Sequence, residues 1–374
     1  MTAVVIAFWA AVGLLAYAHL GYPLLLAVLA RAKPEPLPGS PGELPAVTLI
    51  VAAHDEEDVI EAKVANVLEL DYPRELLELI VASDGSTDRT VELAGSAGAD
   101  LVLDLERGGK VAAQNAAVAR ARHDLLAFSD ANANWPAPAL RELVAPFADP
   151  RVGYVCGQAR FLDPGGSNQE GAYWRYELAL RALESRLAGV TAGNGAIYAV
   201  RRAAYLPLGP ASSHDLSFPF LLTKRGWCAV YAPRAQSEEK MVATIEGEFA
   251  RKRRMMRGIY DEVVGDGMLS PRGYGLAYGF EIFSHRILRY ASPLLHLVAL
   301  AANLLLVGEG TVYVVTLALQ LGLLAAAALA RVLPLRPLRL ARYYVLVTAS
   351  IAAGLWDRIR LGTPGAWERA EGTR

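Results

Sequence analysis

Four residues, Ser129-Asp130-Ala131-Asn132, have types and a spacing suited to holding a divalent cation. They directly follow the apolar run 125–128, which predicts a short buried strand. A carboxylate and an amide two residues apart, Asp130 and Asn132, would point beyond the sheet edge. Such hard oxygen ligands can hold Mg²⁺ or Mn²⁺ and, through the metal, a diphosphate. Asp and Asn after a strand also commonly cap turns, so this segment alone leaves both interpretations open.

Three more polar segments end predicted strands. Aspartates there can accept hydrogen bonds from a base or a ribose, two adjacent glycines let the backbone approach phosphate, and Lys110 can neutralise it. Helix capping explains any one segment, but three at one sheet edge favour a nucleotide. The chain has neither a G-x-G-x-x-G nor a G-x-x-x-x-G-K-[ST] stretch, which argues against dinucleotide and P-loop sites. The segments are His54-Asp55-Glu56-Glu57, Ser83-Asp84-Gly85-Ser86-Thr87-Asp88 and Arg107-Gly108-Gly109-Lys110.

The elements that must position these segments alternate between strand and helix patterns. Apolar runs bounded by polar turns predict strands, and apolar residues at three- and four-residue steps predict helices. Repeated βα units imply a Rossmann-like, mostly parallel sheet covered on both faces, which binds ligands beyond the carboxyl ends of its strands. The predicted strands are 47–52, 79–82, 101–103 and 125–128, and the predicted helices begin near Glu57, Asp88 and Lys110.

The first 30 residues predict a transmembrane helix. Residues 2–30 carry no charge apart from the possibility of His19, and they exceed the roughly 20 residues that cross a bilayer. A secretory signal is the alternative, but the segment lacks a basic start and is too long for a signal core. Arg31 and Lys33 follow it, which places the next block in the cytoplasm.

Two apolar runs, 290–307 and 311–330, predict a transmembrane hairpin whose arginine-flanked feet lie in the cytoplasm. A final run, 343–356, has only 14 residues, so a re-entrant or interfacial segment and a full crossing both stay open. The formal net charge of −1 gives no global attraction to nucleic acid. The sequence therefore predicts a multi-pass protein of the cytoplasmic (inner) membrane with a cytoplasmic α/β domain.

These sequence patterns predict six parts of the chain. A proline-rich linker leads from the first helix to the α/β domain, and interface helices lead from that domain to the hairpin. The parts are helix 1–30, linker 31–46, domain 47–240, amphipathic interface helices 241–289, hairpin 290–330, and the last apolar segment with the tail, 331–374.

The motifs together resemble the membrane-bound family 2 glycosyltransferases, which have a GT-A domain. "VAAHDEED" (51–58) and "SDGSTDRT" (83–90) are similar to the family's nucleotide-binding segments, and "RGGKVAAQN" (107–115) to its Gly-Gly-Lys stretch. "FSDANA" (128–133) matches its metal motif in the Asp-x-Asn form. The resemblance implies Asp130 and Asn132 as metal ligands. The donor-binding residues it implies are Asp55, Glu57, Asp84, Lys110, Asp130 and Arg254.

Later segments extend the resemblance to a pocket for the donor sugar and the acceptor. "EGAYWRYE" (170–177) and "GNGAIYAVRR" (193–202) imply Trp174, Gly193 and Asn194 as pocket residues. "SHDLSFP" (213–219) stands where the family carries paired acids. His214 replaces the first acid, where it either tunes the site or fills space. Asp215 keeps the second acid and is implied as the general base.

Only Arg254 of the run Arg251-Lys252-Arg253-Arg254-Met255 matches the family's Gln-x-x-Arg-Trp motif cleanly. That position implies an arginine that offsets charge on the leaving diphosphate. The same run also predicts a basic amphipathic helix on anionic lipid. Trp367 is similar to the tryptophan that follows the family's last apolar segment.

The resemblance implies a metal-dependent, inverting transferase that uses Mg²⁺ or Mn²⁺. We expect it to move sugar from a nucleotide-sugar, a UDP-sugar in the first instance, to a carbohydrate or lipid-linked acceptor in cell-envelope polysaccharide or glycolipid synthesis. Polymer synthesis and a single addition to lipid both stay open, as does oligomerisation. The alternatives are a non-catalytic sugar-nucleotide sensor, which would be expected to lack Asp130 or Asp215, and a transporter, for which the predicted spans carry too few polar residues.

Overall fold

A single seven-stranded sheet forms the core of the domain between the apolar helices. The computed structural model describes residues 1–33, 43–162, 169–209, 212–240, 245–333 and 335–362. Most of the predicted linker and Trp367 lie outside these residues. The strands are β1 Val47–Ala53, β2 Leu77–Asp84, β3 Leu101–Leu105, β4 Leu125–Asp130, β5 Val152–Leu162, β6 Tyr198–Arg201 and β7 Cys228–Lys240.

The described helices cover both faces of the sheet and form the apolar part of the molecule. Two of them, α1 and α9, each include a short π-helical stretch, Tyr17–Gly21 and Ile282–Ile287. The helices are α1 Thr2–Arg31, α2 Ile60–Leu68, α3 Thr90–Ser96, α4 Lys110–Arg120, α5 Ala139–Val144, α6 Gln169–Leu187, α7 His214–Lys224, α8 Ile245–Tyr260, α9 Leu276–Leu306, α10 Thr311–Leu329 and α11 Arg336–Leu361.

The sheet has the order β3-β2-β1-β4-β6-β5-β7. Strands β1, β2, β3 and β4 pair in parallel, as do β5 and β7, whereas β6 runs antiparallel to both of its neighbours. The prediction of a mostly parallel sheet is confirmed. Every residue of β1 and of β2 is buried, as expected for strands with helices on both faces.

The register brings the predicted polar segments to one edge. Ala52 of β1 lies opposite Asp130 of β4, and Ala53 lies opposite Ser83 of β2. The carboxyl ends of three adjacent strands therefore stand side by side. This confirms the predicted convergence at one edge of the sheet.

Helices α2 and α3 begin two to three residues later than predicted. The backbone N–H of Glu57 donates to Asp88 at 3.1 Å, and the Arg89 N–H donates to Glu57 at 3.2 Å. These reciprocal bonds hold the two loops against each other. They satisfy two N–H groups near the starts of α2 and α3, and such groups have no partner within a helix.

Four described helices are long and apolar enough to cross a membrane: α1, α9, α10 and α11. Helix α1 packs against α9 and α10, with Phe8 buried between Ala302, Leu306 and Tyr313. Many large apolar side chains on these helices stay exposed, among them Leu24, Leu297 and Leu319. Such an apolar surface is typical of helices that face lipid.

Helix α6 joins the apolar helices to the sheet domain through buried polar contacts. The Tyr22 hydroxyl of α1 donates to Glu184 at 2.6 Å, and the His285 ring of α9 lies 2.6 Å from the same carboxylate. Arg289 of α9 forms a two-pronged ion pair with Glu177. Because these groups are buried and paired, the two parts of the molecule meet in a specific orientation.

The last apolar segment belongs to a helix of 26 residues, α11, which extends the predicted run at both ends. The Tyr343 ring lies 5.4 Å from that of Tyr173 on α6. Fourteen residues further on, Asp357 pairs with Arg253 of α8 at 2.6 Å. Helix α11 therefore contacts elements next to the sheet domain near its start and near its end.

Candidate functional site

Lys110 and Asp130 meet at the carboxyl edge of the sheet. Lys110 begins α4, directly after Gly109 with its φ of 91°, and its ammonium pairs with the carboxylate of Asp130 at the end of β4. The backbone of Gly195 lies beside this pair, since an added Cβ there would lie 3.4 Å from Lys110 Nζ and 3.7 Å from Asp130 Oδ2. Two of the predicted donor-binding residues are thus brought together.

Three carboxylates interact electrostatically with the Lys110 ammonium. Burial alone would lower the pKa of Lys110, but Asp130, Asp215 and Glu239 outweigh it and raise that pKa. Asp215 and Asp130 therefore both raise the pKa of the same group, the Lys110 ammonium. The ammonium of Lys110 thus links the predicted base electrostatically to the predicted diphosphate residue Asp130.

Asp84 organises the glycine loop. Its Oδ1 accepts hydrogen bonds from the N–H groups of Gly108 and Gly109 at 2.7 and 2.8 Å, and its side chain is only 1% exposed. Gly85 has a φ of 64°, and an added Cβ would lie 2.9 Å from the Arg107 nitrogen. The predicted donor-binding residue Asp84 thus holds two nucleotide-type loops together.

Asp55 has a similar loop-holding contact. Its Oδ1 accepts the Thr87 N–H at 2.6 Å, and Asp55 itself adopts a left-handed φ of 48°. Glu57 joins the same pair of loops through Arg89. These bonds hold the two loops in place at the sheet edge. Such bonds are compatible both with helix capping and with a nucleotide contact.

Asn132 is half-buried in the turn after β4, where the Ala133 N–H donates to the Asp130 carbonyl at 3.2 Å. Across the described ranges, no three His, Cys, Asp or Glu side chains gather as metal ligands. A divalent cation would therefore need ligands from a substrate as well as from Asp130.

The sequence interpretation missed Glu239, at the end of β7. Burial, followed by the charge of Asp130, raises the pKa of Glu239 to about 7. Two carboxylates close enough to repel each other are a setting that a divalent cation relieves. The oxygen donors at this edge thus fit Mg²⁺ or Mn²⁺ in type. Two adjacent acidic residues, Glu238 and Glu239, next to the end of the predicted domain were the available signal.

Lys63 is a second residue missed from the sequence, because it lies within the regular apolar pattern of α2. It is 3% exposed, its Nζ donates to the Ala133 carbonyl at 2.6 Å, and it lies 5.1 Å from the Trp135 ring centre. Burial lowers the pKa of Lys63 to about 7 against the opposing pull of Asp130 and Glu239. Lys63 supports the turn that carries Asn132.

Asp215 lies in the first turn of α7. Its carbonyl accepts the Gly193 N–H at 2.6 Å, which ties the start of α7 to the loop before β6. A residue with a side chain does not fit at position 193, since an added Cβ would lie 1.9 Å from the Tyr154 hydroxyl. The predicted pocket residue Gly193 and the predicted base are therefore adjacent.

His214 is buried and packed among aromatic rings. Its Nδ1 lies 2.8 Å from the Tyr198 hydroxyl, and its ring stacks on Phe218 with centres 4.2 Å apart. Burial, followed by the Lys110 charge, lowers the pKa of His214 to about 3. The ring is neutral at physiological pH, which supports a packing role rather than proton transfer.

Asn194 and Trp174 have contacts that stabilise backbone. The Asn194 amide donates to the Gly157 carbonyl at 2.6 Å and accepts the Ile197 N–H at 2.9 Å. The Trp174 indole donates to the Ala159 carbonyl at 3.1 Å and packs against the main core. Asn194 thus shapes the loop beside Gly195, and Trp174 lies against strand β5.

Helix α8 carries Arg254, which is half-buried. Arg251 of the same helix acts electrostatically on Glu239, so the start of α8 lies near the site. Arg253 and Arg257 contact α11 instead, Arg257 donating to the Gly362 and Leu361 carbonyls at 2.8 and 3.1 Å. Arg251 therefore interacts with the site, whereas Arg253 and Arg257 contact α11.

Comparison with known proteins identifies the domain that carries this site. Residues 48–206 match the family described as Glycosyl transferase family 2. These residues form a family 2 glycosyltransferase domain. They include β1 to β6, the three loops, Lys110 and Asp130. The resemblance seen in the sequence motifs is confirmed.

Two curated relatives of this chain are synthases. Poly-beta-1,6-N-acetyl-D-glucosamine synthase of Staphylococcus aureus (strain MW2) is 25% identical over 236 residues, 60% of this chain and 57% of that protein. Beta-monoglucosyldiacylglycerol synthase of Synechocystis sp. (strain ATCC 27184 / PCC 6803 / Kazusa) is 28% identical over 291 residues, 71% of this chain and 60% of that protein. The match spans less than two thirds of each relative's length.

A solved structure supports the GT-A fold over nearly the whole chain. The mannosyltransferase PcManGT from Pyrobaculum calidifontis, in complex with GDP-Man and Mn²⁺, superposes with a TM-score of 0.73 at 25% identity. The match covers 94% of this chain and 99% of that one. The predicted GT-A domain with added apolar helices is confirmed.

Proposed function

We propose that this glycosyltransferase transfers a sugar from a nucleoside-diphosphate sugar to a hydroxyl of a lipid or glycan acceptor at the membrane surface, with inversion. The observation that carries the proposal is the Lys110–Asp130 pair at the carboxyl edge of the sheet, on whose ammonium Asp215 also acts electrostatically. The leaving diphosphate needs a positive charge beside it, and the attacking hydroxyl needs a base that takes its proton.

The reaction is a single displacement at the anomeric carbon. The acceptor oxygen forms a bond to that carbon, and the bond from the carbon to the diphosphate oxygen breaks. Asp215 takes the acceptor's proton, and the nucleoside diphosphate leaves with the electron pair. Because attack and departure occur on opposite faces of the sugar, the anomeric configuration inverts. Lys110 and Arg254 offset charge on the departing diphosphate.

Asp130, with Asn132 and Glu239 near it, would hold a divalent cation against the donor's diphosphate. When bound, such a cation supplies charge neutralisation of the leaving group. The oxygen donor set and the repulsion between Asp130 and Glu239 support Mg²⁺ or Mn²⁺. The mannosyltransferase of similar fold is in complex with GDP-Man and Mn²⁺, which supports the same class of site here.

The donor and acceptor are proposed only by class. A UDP-sugar is the donor expected from the sequence motifs, and the GDP-Man bound to the similar mannosyltransferase adds a guanosine donor to the test. The curated relatives include one synthase of a polysaccharide and one of a glycolipid. Both acceptor classes fit a domain that apolar helices hold at a membrane.

The test uses the full chain in lipid nanodiscs with a panel of UDP- and GDP-sugars. Nucleoside diphosphate release and product mass are measured with added acceptor lipids, with and without Mn²⁺. We expect one donor to release its diphosphate with a matching mass increase on an acceptor. Binding of a donor without any turnover would favour a sensor and contradict the proposal. Release that is indifferent to chelator would remove the metal assignment.

A further inference from the structure

The turn after α8 contains three acidic residues that contact the start of α7 and the last helix, α11. Asp261, Glu262 and Asp266 lie in or just after a π-helical turn, Asp261–Gly265. None of them lies within the residues matched to the glycosyltransferase family, 48–206. They are separated from the base Asp215 by more than forty residues of sequence.

Glu262 binds the residue that precedes α7. Its Oε1 accepts the Ser213 N–H at 2.7 Å and also the Ser213 hydroxyl. Ser213 is the N-cap of α7, and its own side chain makes no capping bond within that helix. Glu262 is 3% exposed, so these are bonds in a poorly solvated setting. Asp215 follows Ser213 by two residues.

Asp266 binds the residues on either side of Asp215. Its Oδ2 accepts the Ser212 hydroxyl at 2.8 Å and the Ser217 hydroxyl at 3.2 Å. At the other end of α7, Lys224 donates to the carbonyls of Gly267 and Ser270 at 2.6 and 3.0 Å. The segment 262–270 therefore holds α7 at both ends.

Asp261 faces away from α7 and pairs with the last helix. Its two oxygens accept the Arg358 guanidinium of α11 at 2.6 and 3.0 Å. This two-pronged geometry fixes direction as well as distance. The turn 261–266 thus contacts α11 on one side and the base-bearing start of α7 on the other.

We infer that Glu262 and Asp266 are positioning residues for the base Asp215, and that Arg358 of α11 anchors their turn through Asp261. This inference rests on the proposed function, because it assigns Asp215 as the base. A base displaced by about 1 Å can lower the rate of its step about 100-fold. Helix α11 is one of the candidate membrane helices, so its seating would bear on the rate of transfer.

The first test compares two substitutions of Glu262. Glu262→Gln keeps a carbonyl oxygen that accepts both Ser213 donors, whereas Glu262→Ala removes it. We expect Glu262→Ala to lower kcat for transfer about 10- to 100-fold with donor KM within about threefold, and Glu262→Gln to stay near wild type. Equal kcat in all three proteins would overturn the inference. So would a Glu262→Ala protein whose only defect is a raised donor KM.

The second test addresses the anchor and stands if Glu262→Ala fails to fold. Arg358→Asp is expected to lower kcat, and the double exchange Asp261→Arg with Arg358→Asp to restore at least half of the loss. Asp357→Asn is the matched control, because it weakens the Arg253 pair between the same two regions without touching the turn. A larger loss in Asp357→Asn than in Arg358→Asp would contradict the anchor.

The same assay separates this inference from the proposed function. If wild-type protein releases no nucleoside diphosphate from any donor, the proposed function fails. If wild-type protein turns over donor while Glu262→Ala, Asp266→Ala and Arg358→Asp all match it, only the positioning inference fails.

Discussion

At the residue scale, the proposed site depends on the ammonium of Lys110 and the carboxylates that interact with it. Lys110 pairs with Asp130 and experiences the charges of Asp215 and Glu239. A cation fixed in this way is preorganised for a diphosphate, because the protein has already met the cost of bringing the charges together. The loop carboxylates Asp84 and Asp55 hold the surrounding backbone in place.

Replacing Lys110 tests this arrangement. Lys110→Ala removes the fixed positive charge next to the leaving group, and we expect transfer to fall about 100-fold or more. Lys110→Arg keeps the charge and should retain a larger share of activity. Initial rates of nucleoside diphosphate release give the comparison. Full activity in Lys110→Ala would show that the ammonium has no part in departure of the diphosphate.

The motif residues Asp84, Lys110 and Asp130 could be placed from the sequence because strand ends in a parallel sheet share one edge. Glu239 and Lys63 could not. Glu239 reaches the site only through the parallel pairing of β7 with β5, which is a long-range contact. The sequence pattern predicts only that Lys63 lies in a helix. The packing of α2 against Trp135 shows that its ammonium is buried.

At the scale of elements, the loop before β6 and the start of α7 form one unit around Gly193. The Gly193 N–H donates to the Asp215 carbonyl, and the Tyr154 hydroxyl fills the space where a side chain would begin. The sequence placed Gly193 near the pocket by resemblance alone. The steric reason depends on β5, whose contact with this loop no local pattern predicts.

Gly193→Ala should therefore lower transfer strongly, by about 100-fold, since either Tyr154 or the loop that holds Asp215 must move. Gly209→Ala is the matched control, because no atom of the described residues lies within 4 Å of a Cβ at that position. Activity of the two variants is compared at equal folded protein. A Gly193→Ala protein as active as Gly209→Ala would contradict this description of the base loop.

The turn that contains Glu262 makes stability depend on pH. Burial, followed by the charges of Asp215 and Asp266, raises the pKa of Glu262 from 4.5 to about 8. Between these values the folded chain holds a proton that the unfolded chain has lost, so this contribution to stability falls as pH rises. Glu262→Gln cannot ionise. Its melting temperature should fall less than that of wild type between pH 6 and pH 8, and an equal fall would contradict the assignment.

At the scale of the whole molecule, the sheet domain sits on apolar helices through buried ion pairs and through α11. The contacts of α11 with α6 and with the turn after α8 span the distance from Tyr343 to Arg358, ~22 Å along the helix axis. We therefore propose that α11 lies along the interface, although by length and composition it could also cross a membrane. The sequence left this question open because length and hydropathy alone fit both arrangements.

Cysteine labelling can test the course of α11. In a Cys156→Ala/Cys228→Ala background, a cysteine at the exposed Ile359 should react with a membrane-impermeant maleimide from the side of the catalytic domain. A cysteine at Glu309, between α9 and α10, should react from the opposite side. Labelling of both positions from the same side would show that α11 crosses the membrane.

The most direct test of the central claim is a comparison of Asp215→Asn with wild type in nanodiscs, measuring donor binding and sugar transfer on the same preparations. We predict that Asp215→Asn binds the nucleotide-sugar with a Kd within about threefold of wild type. It should transfer sugar at least about 100-fold more slowly, since no carboxylate then takes the proton from the acceptor hydroxyl. Transfer by Asp215→Asn at the wild-type rate would contradict the account.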